Sequence, residues 1–146
     1  MANNTILNCT NGFYLAEGSL GTLIYHNNII NSPNSSDLGS NSWDSNGEGN
    51  YWSDYTGVDV KRGPDQGLPG SDGVGDTPYI IDVDSADHYP LMYSYGSPPP
   101  QANILSITTA VGGTTDPAPG AYRYTANSTV QVTAFPNFSF SFGYWL

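Results

Sequence analysis

The acids that could hold a cation gather in the middle of the chain. Asp72-Gly73-Val74-Gly75-Asp76 sets a carboxylate, a turn-forming glycine, a free carbonyl at Val74 and a second carboxylate in close succession. Calcium takes six to eight hard oxygens at about 2.3–2.6 Å, which short acids and backbone carbonyls supply. The stretch does not complete an EF-hand: Leu68 stands four residues before Asp72, and no Glu follows at the closing position. Asp59, Asp65, Asp82 and Asp84 would therefore have to complete a calcium shell around Asp72, Val74 and Asp76 from neighbouring turns. The same acids could equally cap turns through side-chain hydrogen bonds to backbone N–H groups, with no metal.

Other chemistry is thinner. Trp43, Trp52 and Tyr55 could stack on sugar rings beside a carboxylate pair drawn from Asp44, Glu48 and Asp54, the equipment of carbohydrate binding or processing. The plainer alternative makes them core and cap residues among solvated acids. His26, His88, Met92 and Cys9 are scattered without the paired spacing of a zinc or copper site. No Gly-x-Ser-x-Gly, His-Glu-x-x-His or phosphate-cradling glycine loop occurs. Neither a catalytic residue nor an organic cofactor is indicated.

The charge balance narrows the partners. Thirteen acids face Lys61, Arg62 and Arg123, a net charge of −10 over 146 residues. Such a chain repels phosphate, which excludes nucleic acid and anionic membranes as partners and suits divalent cations or neutral polysaccharide. No stretch approaches the roughly 20 apolar residues of a bilayer span, and Cys9 has no disulfide partner. Met1 runs into Ala-Asn-Asn-Thr without a signal-peptide pattern. Yet abundant Asn, Ser, Thr, Gly and Tyr, scarce Lys and recurrent Asn-x-Ser/Thr sequons are the composition of exported proteins. The expectation is a piece of a longer extracellular or cell-surface protein.

The elements that must position the acids are short β-runs. Asn4-Thr5-Ile6-Leu7-Asn8 is echoed by Gly21-Thr22-Leu23-Ile24-Tyr25 and followed by His26-Asn27-Asn28-Ile29-Ile30-Asn31, with Gly12-Phe13-Tyr14-Leu15 between. Runs of this length ending in Asn or Gly read as rungs of a parallel β-solenoid, whose corners Asn tolerates. About one to one and a half coils are expected over residues 3–31. Residues 96–102, with three consecutive prolines, read as a stiff linker. Beyond it, Asn103–Ile107, Tyr122–Tyr124 and Val130–Ala134 read as strands, and Phe138, Phe140, Phe142, Tyr144 and Trp145 as an apolar alternating strand with an unpaired edge.

These motifs resemble two known families. Asn-x-Ile with Gly-Phe-Tyr-Leu and Ile-Tyr-His-Asn-Asn-Ile-Ile-Asn is similar to the repeats of NosD-like right-handed parallel β-helix proteins, abundant in archaeal surface proteins and named also for a periplasmic copper-associated protein. Gly49-Asn50-Tyr51-Trp52-Ser53-Asp54-Tyr55, Asp72 to Tyr79 and Asp87-His88-Tyr89-Pro90-Leu91-Met92 resemble the segment closing such helices, so the resemblance spans residues 3–92, with Val60–Ser71 as an insertion. Residues 103–146 resemble the internalin B-repeat-like modules of surface proteins, in the pattern Gly-Gly-Thr-Thr-x-Pro-x-Pro-Gly-x-Tyr with Val-x-Val-Thr-Ala-x-Pro, the family's Trp-x-Leu being matched here only by Trp145-Leu146. The copper link implied by the first family's name carries over to no residue here.

The fold expectation is thus all-β. The end of a right-handed parallel β-helix with a loop-rich, calcium-type cap fills residues 1–95, and a partial B-repeat-like β module fills 103–146. The function expectation is a structural or adhesive surface module, calcium-stabilised and self-associating as a homo-oligomer or by strand exchange. The alternatives are a carbohydrate-binding or carbohydrate-processing fragment of a larger enzyme, and a copper-binding protein.

Overall fold

A computed structural model describes residues 1–32, 34–97 and 102–145, and among these every regular element is a β-strand. Strands β1 (Thr5–Leu7), β2 (Asn11–Leu15) and β3 (Leu20–Leu23) make a first coil, and β4 (Asn28–Ile30), β5 (Asn34–Asp37) and β6 (Ser40–Ser42) a second. Strand β7 (Tyr51–Trp52) starts a third. Each stacks in parallel on its counterpart below: β1 on β4 on β7, β2 on β5, and β3 on β6. The chain is therefore the end of a parallel β-helix, as the short runs suggest.

Its register corrects the sequence expectation. Thr5, Ile6 and Leu7 pair with Asn28, Ile29 and Ile30, so the echo of Asn4–Asn8 is Asn27–Asn31 and not Gly21–Tyr25. Gly21–Leu23 instead lies in β3 of the same coil. Residues 3–31 make one coil and the first strand of the next, within the expected one to one and a half, and β5, β6 and β7 carry the stack on into a third coil. The repeat is legible in the asparagines: Asn4, Asn27 and Asn50 follow one another at intervals of 23 residues.

The coils are sharply cornered. Asn3, Asn8, His26 and Asn31 all have positive φ, a region that Asn visits at little cost and most side chains avoid. Inside the coils Leu15, Ile24, Ile29, Trp43 and Trp52 form the buried cluster, with Phe13, Tyr55, Tyr79 and Ile81 packed against it. Trp43 and Trp52 are the largest fully buried side chains in this cluster, each contributing a large apolar area.

From residue 43 onward the chain folds over the end of the helix. Here β8 (Lys61–Arg62) pairs with β9 (Leu68–Pro69) and β10 (Tyr79–Ile80) with β11 (Ala86–Asp87), both antiparallel. Leu91 then bridges in parallel to Tyr51, and its N–H donates to the Asn50 carbonyl at 2.8 Å. Residues 98–101 of the expected linker lie outside the described residues.

In the second module β12 (Ala102–Ile107) pairs with β14 (Gly120–Thr125), and β13 (Gly113–Asp116) with β15 (Thr133–Pro136). Two expectations change here. The last strand begins at Thr133, so Val130–Gln131–Val132 is irregular despite its alternation. The aromatic run 138–145 is likewise irregular, because it turns at its start: Asn137 N–H donates to Gly112 O at 2.8 Å, Phe140 N–H donates to Asn137 O at 3.0 Å, and Ser139 has φ of 72°. Leu146, which follows Trp145 directly, lies outside the described residues. The module meets the cap through Ser71, whose N–H donates to Arg123 O at 2.7 Å and whose hydroxyl oxygen accepts from Thr125 N–H at 3.1 Å.

Candidate functional site

The polar spine of the molecule is a ladder of stacked amides, exposed at Asn4 and buried at Asn27 and Asn50. Asn4 Nδ2 donates to Asn27 Oδ1 at 2.9 Å, and Asn27 Nδ2 donates to Asn50 Oδ1 at 2.9 Å. Each oxygen also accepts from a backbone N–H of the coil below: Asn4 N–H reaches Asn27 Oδ1, and Asn27 N–H reaches Asn50 Oδ1. Identical amides stacked at the coil spacing satisfy one another, so they can be fully buried at little cost. Asn27 and Asn50 are both 0% exposed.

A ladder of this kind needs a terminator, and Asp87 provides it. Its Oδ2 accepts from Asn50 N–H at 2.7 Å, Asn50 Nδ2 at 3.2 Å and the Trp52 indole N–H at 2.9 Å, and its Oδ1 accepts from Tyr89 N–H at 3.1 Å. Only an acceptor-only group can receive all four without turning a donor toward a donor. The carboxylate is 0% exposed, and burial pushes its pKa up to about 6 against the pull of those donors. The chain approaches so closely that a Cβ on Gly49 would collide with the Asp87 carboxylate.

A second acid does the same for a tryptophan on the coil wall. Asp37 Oδ2 accepts from the Trp43 indole N–H at 3.0 Å, while its Oδ1 accepts from Gly39 N–H and Asn41 Nδ2. Trp52 stacks face to face on Tyr79, with ring centroids 4.2 Å apart and 9° between planes. Burial and the neighbouring Asp54, which accepts from the Tyr79 hydroxyl, push that hydroxyl up to about 12.

The acids expected to hold calcium gather only in part. Asp59, Asp72 and Asp76 share the loop packed against the helix end. Asp59 is buried and accepts from Asp72 N–H at 3.1 Å and Gly73 N–H at 2.9 Å. Burial, with the charges of Asp72 and Asp76 adding to it, pushes its pKa up to about 6. Asp72 accepts from Gly63 N–H, the Gln66 amide and Val74 N–H. Asp76 accepts from Val60 and Lys61 N–H. Asp82 lies on the other arm of the cap, accepting from Asp37 N–H at 2.8 Å, which holds its pKa below the ordinary value. Asp84 sits two residues on and gives its N–H to Asp82.

The carboxylates of Asp59, Asp72, Asp76 and Asp82 are thus already engaged by backbone N–H groups, the turn-pinning arrangement weighed beside calcium. Among the described residues no group of three or more His, Cys, Asp or Glu is placed to hold a metal. One oxygen of the loop is left without a partner. Gln66 Oε1 is a buried oxygen without a hydrogen-bond partner, while the amide nitrogen of the same side chain donates to Asp72 Oδ2 at 3.0 Å. A stranded buried oxygen beside acids is the kind of donor a hard cation or a water completes.

The residues weighed for copper are apart and differently employed. His26 Nε2 meets Glu48 Oε2 at 2.6 Å, His88 Nδ1 meets Asp44 Oδ2 at 3.0 Å, and exposed Cys9 contacts Leu7 O. They do not fit a copper site.

The sugar-stacking expectation needs correction. Trp43 and Trp52 are each 1% exposed, so neither offers a face to a ligand; coil closure has used both. Tyr55 is half-buried, its hydroxyl donating to Thr77 O at 2.6 Å.

Residues 1–57 match the family model described as Periplasmic copper-binding protein (NosD). The matched span covers both coils, Asn50 and Trp52. Neither the curated proteins nor the solved structures contain a match to this chain.

Proposed function

We propose that residues 43–97 are the closing cap of a β-solenoid in an exported or surface protein, and that the work of this chain is structural. A single observation carries the reading: Asp87 ends the Asn4–Asn27–Asn50 ladder with a buried acceptor, while Leu91 covers the edge of β7. The similarity of the coils to a periplasmic family supports the exported setting. The acids are then mechanical parts. Asp37, Asp59, Asp72, Asp76, Asp82 and Asp87 each hold two or more N–H groups in place, while Asp65 and Asp72 keep their charge on the outside of the loop.

Deleting residues 58–97 tests this. Coils without their cap expose Trp52 and an unpaired β7, so the shortened protein should bind a hydrophobic dye and aggregate. Coils that remain monomeric and cooperatively folded without the cap would contradict it.

Gln66 favours a second reading, in which calcium binds the 59–76 loop and stiffens the cap. Its unpartnered Oε1, Asp72 and Asp65 would offer the oxygens. Thermal melts with calcium and with EDTA distinguish it: an unchanged midpoint would remove calcium from the account.

A further inference from the structure

Charge is divided unequally along this chain. The second module carries only Asp116 and Arg123, so the net charge of −10 lies wholly within residues 1–97. That module also holds an open groove of about 840 Å³ between β12, β13, β15 and the 140–145 run, and none of the described residues lining it is charged. Its walls are β-branched and aromatic, among them Ile107, Thr115, Val132, Phe140, Phe142 and Trp145. They offer hydroxyls but, among the described residues, no carboxylate, carboxamide or guanidinium to fix a sugar.

The groove separates two sheets of only two strands each, and two-stranded sheets are marginal by themselves. What fits between them is an uncharged strand with large side chains on one face. This chain contains one. In residues 138–145 Phe138, Phe140, Phe142 and Tyr144 alternate with Ser139, Ser141 and Gly143, the period of a half-buried strand. Yet the run is irregular where it stands, and Phe138 is 98% exposed. A tight turn holds it back: Ser139 sits at φ of 72°, and the Phe140 ring rests on Gly112, where a Cβ would collide with it. Released from that turn, residues 137–145 would continue β15 outward for roughly 30 Å, beyond their own module.

We propose that a second copy of this chain is the occupant: two copies exchange their 138–145 segments, each seating its aromatics in the other's uncharged groove, with residues 137–139 as the hinge. Only the neutral modules meet, so the acidic caps stay apart and do not oppose the contact. Exchange of an identical segment reuses contacts the chain already makes, which is why it is an accessible route to a dimer.

Analytical ultracentrifugation over a concentration series tests the exchange on the full chain. The expected result is a monomer–dimer equilibrium reaching dimer at high micromolar concentration, lost in Phe140→Ser/Phe142→Ser while near-ultraviolet circular dichroism still reports the buried Trp43 and Trp52. Ser139→Gly relieves the closed turn and should weaken the dimer roughly two- to five-fold per chain. Ser139→Val, which resists positive φ, should strengthen it. A strict monomer at high micromolar concentration overturns the proposal. So does a dimer that ignores the two phenylalanines, or one that ignores both hinge changes.

Discussion

The Trp52 indole N–H donates to Asp87 Oδ2 at 2.9 Å across 35 residues of sequence, and the same oxygen accepts the Asn50 backbone N–H at 2.7 Å. This pair joins the helix core to its cap, because Trp52 is the last large side chain of the stack and Asp87 the first acid of the closing turn. Replacing Asp87 with Ala strands buried donors on Asn50, Trp52 and Tyr89, and should cost about 3–5 kcal/mol. Asp87→Asn keeps one acceptor but turns an amide toward Tyr89 N–H, and should cost about 1–3 kcal/mol. Urea denaturation followed by tryptophan fluorescence measures both, and equal, negligible losses would contradict the arrangement.

The ladder predicts a graded response among asparagines. Asn27→Ala removes the fully buried central amide of the column and should destabilise by about 3 kcal/mol. Asn31→Ala loses the exposed bond from Asn31 Nδ2 to Asn8 Oδ1 and places Ala at φ of 49°, for about 1–2 kcal/mol. Thermal unfolding of the two variants side by side checks the order.

Acid should strengthen this protein before it weakens it. Asp59 and Asp87 have folded pKa values raised from 3.8 to about 6, so the folded state holds protons that the unfolded chain releases. Stability contributed by their protonation is absent above about pH 6, grows as pH falls toward 3.8, and is complete below it. Asp82 opposes this below its ordinary value, since its lowered pKa means stability lost on protonation. The melting midpoint should therefore rise as pH falls from about 6 and peak near about pH 4, and Asp59→Asn should flatten the rise. A midpoint falling steadily from pH 7 downward would contradict it.

The calcium reading makes its own demand on Gln66. Gln66→Met keeps the bulk of the side chain while deleting the stranded oxygen. In EDTA the variant should melt somewhat below the parent, because Met also lacks the amide nitrogen that donates to Gly63 O and Asp72 Oδ2, a loss of about 1–2 kcal/mol. In calcium it should forfeit most of any stabilisation the parent gains, and an undiminished shift would place the ion elsewhere.

Much of the fold was legible because β-solenoid chemistry repeats locally: short runs ended by Asn, with positive φ at Asn8 and Asn31, announce corners. The register was not, because matching apolar letters aligned Ile6 with Leu23, whereas the amide column aligns Asn4 with Asn27 and Asn50. Trp43 and Trp52 were ambiguous for a physical reason. An aromatic beside acids looks alike whether it stacks on a sugar or gives its N–H to a buried carboxylate, and only long-range closure onto Asp37 and Asp87 decides. The partnerless oxygen of Gln66 had no signal at all in the sequence. Nor did the turn at Ser139, where the alternation of 138–145 argued for a strand and Gly112 provided a seat that local reading could not see.

The most direct test is backbone hydrogen exchange at Asn27, Ile29 and Trp52 in the parent and in Asp87→Ala, under conditions where both are folded. If Asp87 closes the stack, protection should fall at Trp52 first and spread down the ladder to Ile29 and Asn27 as the cap comes loose. Coil amides that keep the parent's protection while the cap alone opens would contradict the cap's role in holding the helix.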